Sequence, residues 1–251
     1  MIKLSVVIIT YNEEKNIGRC LESVKEIADE IVVVDSISTD KTRAICEAFG
    51  VRFIEQKFLG YQDQKNFAHN LASFDYVLSL DADEALTPEL LFEVKKIKNN
   101  FEMDGYSFNR LTNYNGEWIR FCGWYPDAKV RLVKKAKAKW SGGNIHEHLA
   151  VEGNVGHLRG DLLHYSYDSI SMHVLQTNKY STTEAQILFA KGKRATIAKI
   201  VTRPFWQFFK DYFLKKGILD GRYGFVICSI NSLYVLLKYA KMKELELKKP
   251  L

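Results

Sequence analysis

The stretch FDYVLSLDADEALTPEL, residues 74 to 90, decides how the rest of this chain is read. From Tyr76 to Leu80 it is apolar, β-rich and uncharged, which suits a strand buried on both faces. Such a strand delivers Asp81, Ala82 and Asp83 at its carboxyl end, where an open α/β sheet places its ligands. Glu84 follows, and then a helix opened by Thr87, Pro88 and Glu89. Two carboxylates in that setting offer hard oxygen ligands to a divalent cation that also carries a diphosphate. The competing reading is a solvated acidic turn that caps the next helix.

The residues upstream supply a sheet for this strand to join. Residues 2 to 9 (IKLSVVII) read as a first buried strand, followed by a turn at Thr10, Tyr11 and Asn12. Asn12 is placed to cap a helix whose apolar positions include Ile17, Leu21 and Val24. A second strand, 30 to 34, ends at Asp35, and a polar loop through Ser36, Ser38, Thr39 and Asp40 leads to a helix over 42 to 49. Residues 51 to 54 form a short third strand, and GYQDQKNFAHNL, residues 60 to 71, begins a helix pattern that leads to the central strand. Strand and helix alternating in this way predict a parallel sheet with right-handed crossovers. The chain has neither a G-x-G-x-x-G turn nor a P-loop, which argues against a dinucleotide-binding dehydrogenase.

Beyond the acidic motif the pattern changes. Residues 105 to 135 alternate polar and aromatic, with turns at Asn115-Gly116 and Pro126-Asp127, and predict antiparallel strands added to the sheet. SGGNIHEHL, residues 141 to 149, is a glycine-flanked loop carrying two histidines and a glutamate. Helix formers dominate from Ser169 to Ala198.

Charge is unevenly distributed. From Lys191 onward there are 14 Lys or Arg against 4 Asp or Glu, net +10, whereas residues 1 to 190 carry net −4. The basic residues of the tail alternate with Phe205, Trp206, Phe208, Phe209, Tyr212 and Phe213, which favours an anionic bilayer interface over nucleic acid. The uncharged run from Tyr223 to Leu237 is shorter than the roughly 20 residues that span a bilayer, so an interfacial or re-entrant helix pair is expected. The division implied is a catalytic domain over 1 to 190 and a membrane-peripheral helical tail over 191 to 251. Cys20, Cys46, Cys122 and Cys228 lack zinc-ligand spacing, and the amino terminus lacks the pattern of a signal peptide; free thiols in a reducing cytoplasm are expected.

SVVIITYNEEKNIGRCLESV, VVDSISTDKT, GYQDQKNFA and LSLDADE resemble the successive motifs of the inverting glycosyltransferases of family 2, which have the GT-A fold, a mixed and mostly parallel α/β sheet flanked by helices. GWYPDAKVRLVKK, NIHEHL and the tail segment RPFWQFFKDYFLKKGILDGRYGF are similar to one subgroup, the small bacterial glucosyltransferases of the lipopolysaccharide inner core. The resemblance implies a UDP-sugar donor, a divalent metal (Mn²⁺ or Mg²⁺) and a glycolipid acceptor met on the inner face of the cell membrane. It also implies roles residue by residue. Thr10, Tyr11 and Asn12 would line the nucleotide pocket with Glu13 near the base or ribose, and Asp35 would accept from the uracil ring. Lys65 would hold a diphosphate oxygen. Asp81 and Ala82 would lie along the nucleotide sugar, with Asp83 on the metal.

Inversion needs a base on the sugar face opposite the leaving group. Glu147 is the first candidate and His146 the second, although His146 and His148 around Glu147 also suggest a small metal cluster. Trp124, Tyr125 and Arg131, with Pro126 and Asp127, would shape the acceptor site; Trp124 and Tyr125 as core residues under a loop is the plainer alternative. Two other functions compete: transfer to a polyprenyl-phosphate-linked sugar or capsule precursor, and a nucleotide-sugar or membrane binding module without turnover. DSISTD departs from the family pattern at Ile37, where an acidic residue or glycine is usual.

Overall fold

A computed structural model describes residues 1–143 and 147–247. The chain divides into two compact units, Met1–Leu111 with Pro126–Tyr165, and Thr112–Tyr125 with Ser166–Leu251.

The first unit is built on alternating strands and helices. They are β1 (Leu4–Thr10), α1 (Ile17–Val24), β2 (Glu30–Asp35), α2 (Thr42–Ala48), β3 (Arg52–Glu55), α3 (Tyr61–Leu71) and β4 (Tyr76–Asp81). Next come β5 (Glu84–Leu86), α4 (Pro88–Asn99) and β6 (Gly105–Tyr114), whose far end runs into the second unit and pairs there with β7 (Glu117–Ile119). The chain returns through β8 (Ala128–Lys134), β9 (Ala138–Ser141), β10 (His148–Val151) and β11 (Val155–Tyr167). The main sheet runs β3-β2-β1-β4-β8-β6-β11-β5. Its first four strands are parallel, and β8 turns it antiparallel by pairing with β4. β9 and β10 form a separate hairpin. The α/β reading with a mixed sheet therefore holds.

Both faces of the parallel half are covered, which explains why its strands read as unbroken apolar runs. Leu4, Val6 and Ile8 pack with Ile17, Leu21 and Val24 of α1 and Leu90 and Val94 of α4. On the other face Val7, Val32, Val34 and Val77 meet Ala68 of α3, Trp140 and Leu149. Register then aligns the strand ends: Thr10 lies opposite Asp35, and Ile9 opposite Asp81. The carboxylates of two strands thus leave the sheet along one edge.

The second unit contains α5 (Ile170–Ala190), α6 (Ile197–Phe209), a π-turn at Lys210–Leu214, a 3₁₀ turn at Gly217–Asp220 and α7 (Gly221–Leu247). Its division from the first unit falls after Tyr165 and not at residue 190, because α5 joins the tail helices and the 112–125 excursion goes with them. The expected short interfacial pair is also corrected in form. The apolar run lies within one long helical stretch, Gly217–Leu247, which is long and apolar enough by length and composition to cross a membrane.

At the centre of this unit is an aromatic cluster. Tyr114 is fully buried and its hydroxyl lies 3.1 Å from Nδ1 of His173, while Trp124 stacks on Tyr167 with centroids 5.6 Å apart. Burial pushes the His173 imidazole down to about 4. An unfolded histidine titrates near 6.5, so between these values the unfolded chain binds more protons and stability falls as pH drops. Acidification from pH 7 to pH 4 is expected to cost about 3 kcal/mol through this group. Chemical denaturation across that range should show the slope, and His173→Gln should flatten it.

Candidate functional site

The loops after β1 and β2 hold one another without glycine. Asn12 adopts a left-handed backbone (φ 53°), its N–H donates to Ser38 Oγ at 2.7 Å, and its Oδ1 accepts from the Thr39 N–H at 2.8 Å. Glu13 and Glu14 continue the stitching, donating their N–H groups to Thr42 Oγ1 (2.8 Å) and Asp40 Oδ2 (3.0 Å). Asn12 is therefore a loop pin and not a helix cap; α1 begins five residues later, after Asn16, whose Nδ2 donates to Glu13. Asparagine tolerates the left-handed region better than most residues, which is why it serves here. Asp35 is buried at the end of β2 and accepts from the N–H (2.7 Å) and hydroxyl (2.5 Å) of Ser38. Thr10 is buried at the end of β1, and Tyr11 is exposed.

Ile37 is exposed and carries φ 66°, a strained choice for a β-branched side chain. The isoleucine in DSISTD thus has a physical cost. Ile37→Gly is expected to raise stability by about 1 kcal/mol, since glycine enters this region without steric penalty. A denaturant midpoint that falls on this substitution would contradict the strain.

The densest polar group gathers at the end of β4. Lys65 of α3 is only 4% exposed and reaches Asp81 Oδ1 at 3.0 Å and Glu147 Oε1 at 3.4 Å. Arg131 of β8, equally buried, places Nη2 3.2 Å from Asp81 Oδ2 and 2.8 Å from Glu84 Oε1. Both cations lie over the indole of Trp140, at 4.6 and 5.3 Å from its centroid, and Asn66 fixes that residue by bonding its backbone N–H and carbonyl at 3.0 Å each. Glu84 is buried too, and its Oε2 accepts from the Asp81 N–H at 3.0 Å.

Burial opposes the charge on Asp81, yet Lys65 and Arg131 outweigh it and hold the carboxyl below the usual carboxylate range. Burial likewise works against the Arg131 charge, and Glu84 and Asp81 more than compensate. The motif is thus a braced structure and not a solvated turn.

Asp83 faces a different partner. Its Oδ2 lies 3.2 Å from Nε2 of His164, and its carbonyl accepts from the Tyr165 N–H at 2.9 Å. The reason is strand pairing: β5 runs antiparallel to β11, with Glu84 opposite His164. No group of three or more His, Cys, Asp or Glu side chains able to hold a metal occurs among the described residues. The protein therefore offers an incomplete set, one carboxylate and one imidazole, to which diphosphate oxygens and water would be added. Asp81, Asp83, Glu84 and Glu147 also outnumber the cations beside them, Lys65, Arg131 and Arg110, the last with Nη1 3.9 Å from Glu84. The residues fit a divalent cation that arrives with an anionic ligand.

The structure brings together Asp81, Asp83, Lys65 and Glu147, which the sequence singles out, and adds Glu84, Trp140 and His164, which it does not. His146 lies outside the described residues. Glu147 directly precedes β10, whose first residue pairs with the last of β9. Two residues expected at the acceptor site have structural partners. Arg131 is buried as a brace of the acidic motif and presents no exposed binding surface. Trp124 belongs to the aromatic cluster of the second unit, packed on Tyr114, Tyr167 and His173 as a core residue. Tyr125 lies under the Arg120 guanidinium, whose carbon is 5.3 Å from the ring centroid.

Comparison with known proteins identifies the family. Residues 5–121 match the model for Glycosyl transferase family 2. An uncharacterized glycosyltransferase of Rickettsia typhi is 34% identical over 99% of this chain and 89% of its own length. The lipopolysaccharide core biosynthesis glycosyltransferase LpsC of Rhizobium meliloti is 33% identical over 95% of this chain and 91% of its own. Among solved structures, S. aureus TarS 1-349 in complex with UDP is similar over 98% of this chain and 91% of that one, with 16% identity and a TM-score of 0.49. With relatives matched over nearly their whole length, and with the strand-end acidic motif on a mixed sheet, the chain belongs to glycosyltransferase family 2 and has the GT-A fold.

Proposed function

We propose that this glycosyltransferase moves a hexose, glucose from UDP-glucose, onto a lipopolysaccharide-core or related glycolipid acceptor and forms a β linkage in a single inverting step. The observation that carries this reading is the convergence of Asp83 with His164, and of Lys65 with Asp81 and Glu147, at the end of β4. The similarity to LpsC supports the acceptor class.

Each residue then has a task. Thr10, Tyr11, Asn12 and Glu13 border the nucleotide, and Asp35 accepts the uracil imide N–H with lone pairs that Ser38 does not use. Asp81 and Ala82 lie along the ribose and sugar. Lys65 turns its ammonium toward the diphosphate, a point charge suited to that ligand. Asp83 and His164 would hold a divalent cation, which when bound would supply Lewis-acid neutralisation of diphosphate charge. Glu147 takes the proton of the acceptor hydroxyl as that oxygen bonds to the anomeric carbon and the carbon–oxygen bond to UDP breaks. Attack from the face opposite UDP turns an α-linked donor into a β-linked product. The basic tail keeps the enzyme at an anionic membrane surface on the cytoplasmic side.

The test is transfer from labelled UDP-glucose to a lipopolysaccharide-core glycolipid, with the anomeric configuration of the product read by proton NMR. A β-configured glucosyl product is expected. An α-linked product overturns the inverting mechanism, and transfer only to a polyprenyl-phosphate-linked sugar would assign the other acceptor class.

A further inference from the structure

By composition α7 is the membrane helix of this chain, but its surroundings in the second unit say otherwise. Between Val226 and Lys243 only Leu236 is exposed. Polar side chains tie the helix to its neighbours at several heights. Asn231 donates to Asp211 at 3.1 Å and Ser232 to the Pro204 carbonyl at 2.9 Å. The Tyr234 hydroxyl and the Lys238 ammonium both meet Glu184, and Lys241 donates to Asn178 Oδ1 at 2.7 Å. Crossing a bilayer would break these bonds and put Asn231, Lys238 and Lys241 at or near hydrocarbon, which is costly. A helix that is apolar all round, as this one is over its central turns, belongs to a packed interior as readily as to a membrane.

The outward apolar surface belongs to α6. Ile197, Val201, Phe205 and Phe209 recur every four residues and are all exposed, and Phe213 of the π-turn extends the stripe. Phe205 is 74% exposed and Trp206, stacked on Phe209, is 53% exposed. Each residue lies next to the one four positions on, so this is a continuous stripe and not scattered side chains, although it winds about 40° around the helix at each step. Its two ends are basic: Lys193 and Arg194 are exposed before α6, and Lys215 and Lys216 beyond the π-turn. An apolar strip rimmed with aromatics and bordered by cations matches an anionic lipid surface, with the rings at headgroup depth and the cations on the phosphates.

We infer that α6 and the turn after it lie in the plane of an anionic bilayer, with the Ile197-to-Phe213 stripe set into the headgroup boundary, while α7 stays bonded to its neighbours within the second unit and does not cross. This rests on the membrane-peripheral function proposed above and names the surface that makes the contact.

Co-sedimentation of the full chain with vesicles, in the absence of donor and acceptor, tests it independently of catalysis. Binding is expected to vesicles rich in phosphatidylglycerol and not to phosphatidylcholine alone, and to weaken with salt. Phe205→Ser with Val201→Ser should reduce partitioning at least about tenfold with a nearly unchanged melting temperature, because both side chains are more than half exposed. Trp206 emission should shift to the blue on binding, a signal that Trp206→Phe removes. Unchanged partitioning of the double variant would overturn the inference. So would alkali-resistant membrane integration with the α7 carboxyl end exposed on the opposite side of the vesicle. Vesicle binding that fails while sugar transfer persists would sink this inference and leave the transferase reading intact.

Discussion

Asp83→Ala is expected to lower kcat/KM for sugar transfer by about a thousandfold or more, the equivalent of about 4 kcal/mol of lost transition-state stabilisation. The side chain itself does little for the fold. Asp83 is part-exposed, its carboxylate meets His164, and the structural bond at this position runs from its backbone carbonyl to the Tyr165 N–H. Alanine keeps that backbone bond, so the melting temperature should be nearly unchanged. What disappears is the carboxylate at this strand end that neither Lys65 nor Arg131 neutralises. Initial rates and thermal melts of the same preparation separate the two effects. A variant that melts normally and still transfers at the original rate would remove Asp83 from the reaction.

Asp81 should behave differently, because it is a brace as well as a site residue. Lys65, Arg131 and the Glu84 contact to its backbone all converge on it, so its removal leaves two buried cations short of a carboxylate. Loss of stability along with activity is the consequence. The contrast between neighbours two residues apart separates the binding carboxylate from the architectural one.

Glu147→Gln is the second substitution with a large expected effect. Replacing a general base by its amide should lower kcat by about 10² to 10⁴ while leaving the donor KM unchanged, since the amide keeps the size of the side chain and loses only the proton acceptor. The Lys65 contact at 3.4 Å is long, and Lys65 retains Asp81 at 3.0 Å, so its position should survive the change. Single-turnover rates with saturating donor, alongside donor binding measured directly, give the split. Equal loss in kcat and in donor affinity would instead make Glu147 a binding residue.

Much of the candidate site is legible in the sequence because local pattern decides it. Uncharged β-rich runs ending in Asp35 and Asp81 announce buried strands, and parallel register then brings their ends to one edge. Lys65 is readable as a polar residue on an otherwise ordinary helix, though its burial is not. His164 gives no local signal for a plain reason. It is one of two histidines in a long strand, and only the antiparallel pairing of β11 with β5, which sets His164 level with Glu84, brings it to Asp83. Glu84 and Arg131 are hidden in the same way, as their ion pair joins β5 to β8 through the folded sheet.

Where sequence and structure part, the causes are also physical. Trp124 and Tyr125 read as sugar-stacking residues because aromatic rings stack on the apolar faces of sugars, but the same rings serve equally well in a core, and Trp124 packs with Tyr167 and His173. Asn12 reads as a helix cap because its residue type suits one. The same small amide also suits a left-handed backbone position, and the loop after β2 uses it there. The tail is legible as aromatic and basic, while the roles of α6 and α7 depend on which helix packs inside, which composition does not state.

The most direct measurement is a calorimetric titration of UDP into the protein with and without Mn²⁺, repeated with Asp83→Ala. Metal-dependent binding to the unmodified protein, removed by the substitution, is the predicted result. Binding of UDP with equal affinity in all four titrations, or in none of them, would contradict a metal-assisted donor site at the end of β4.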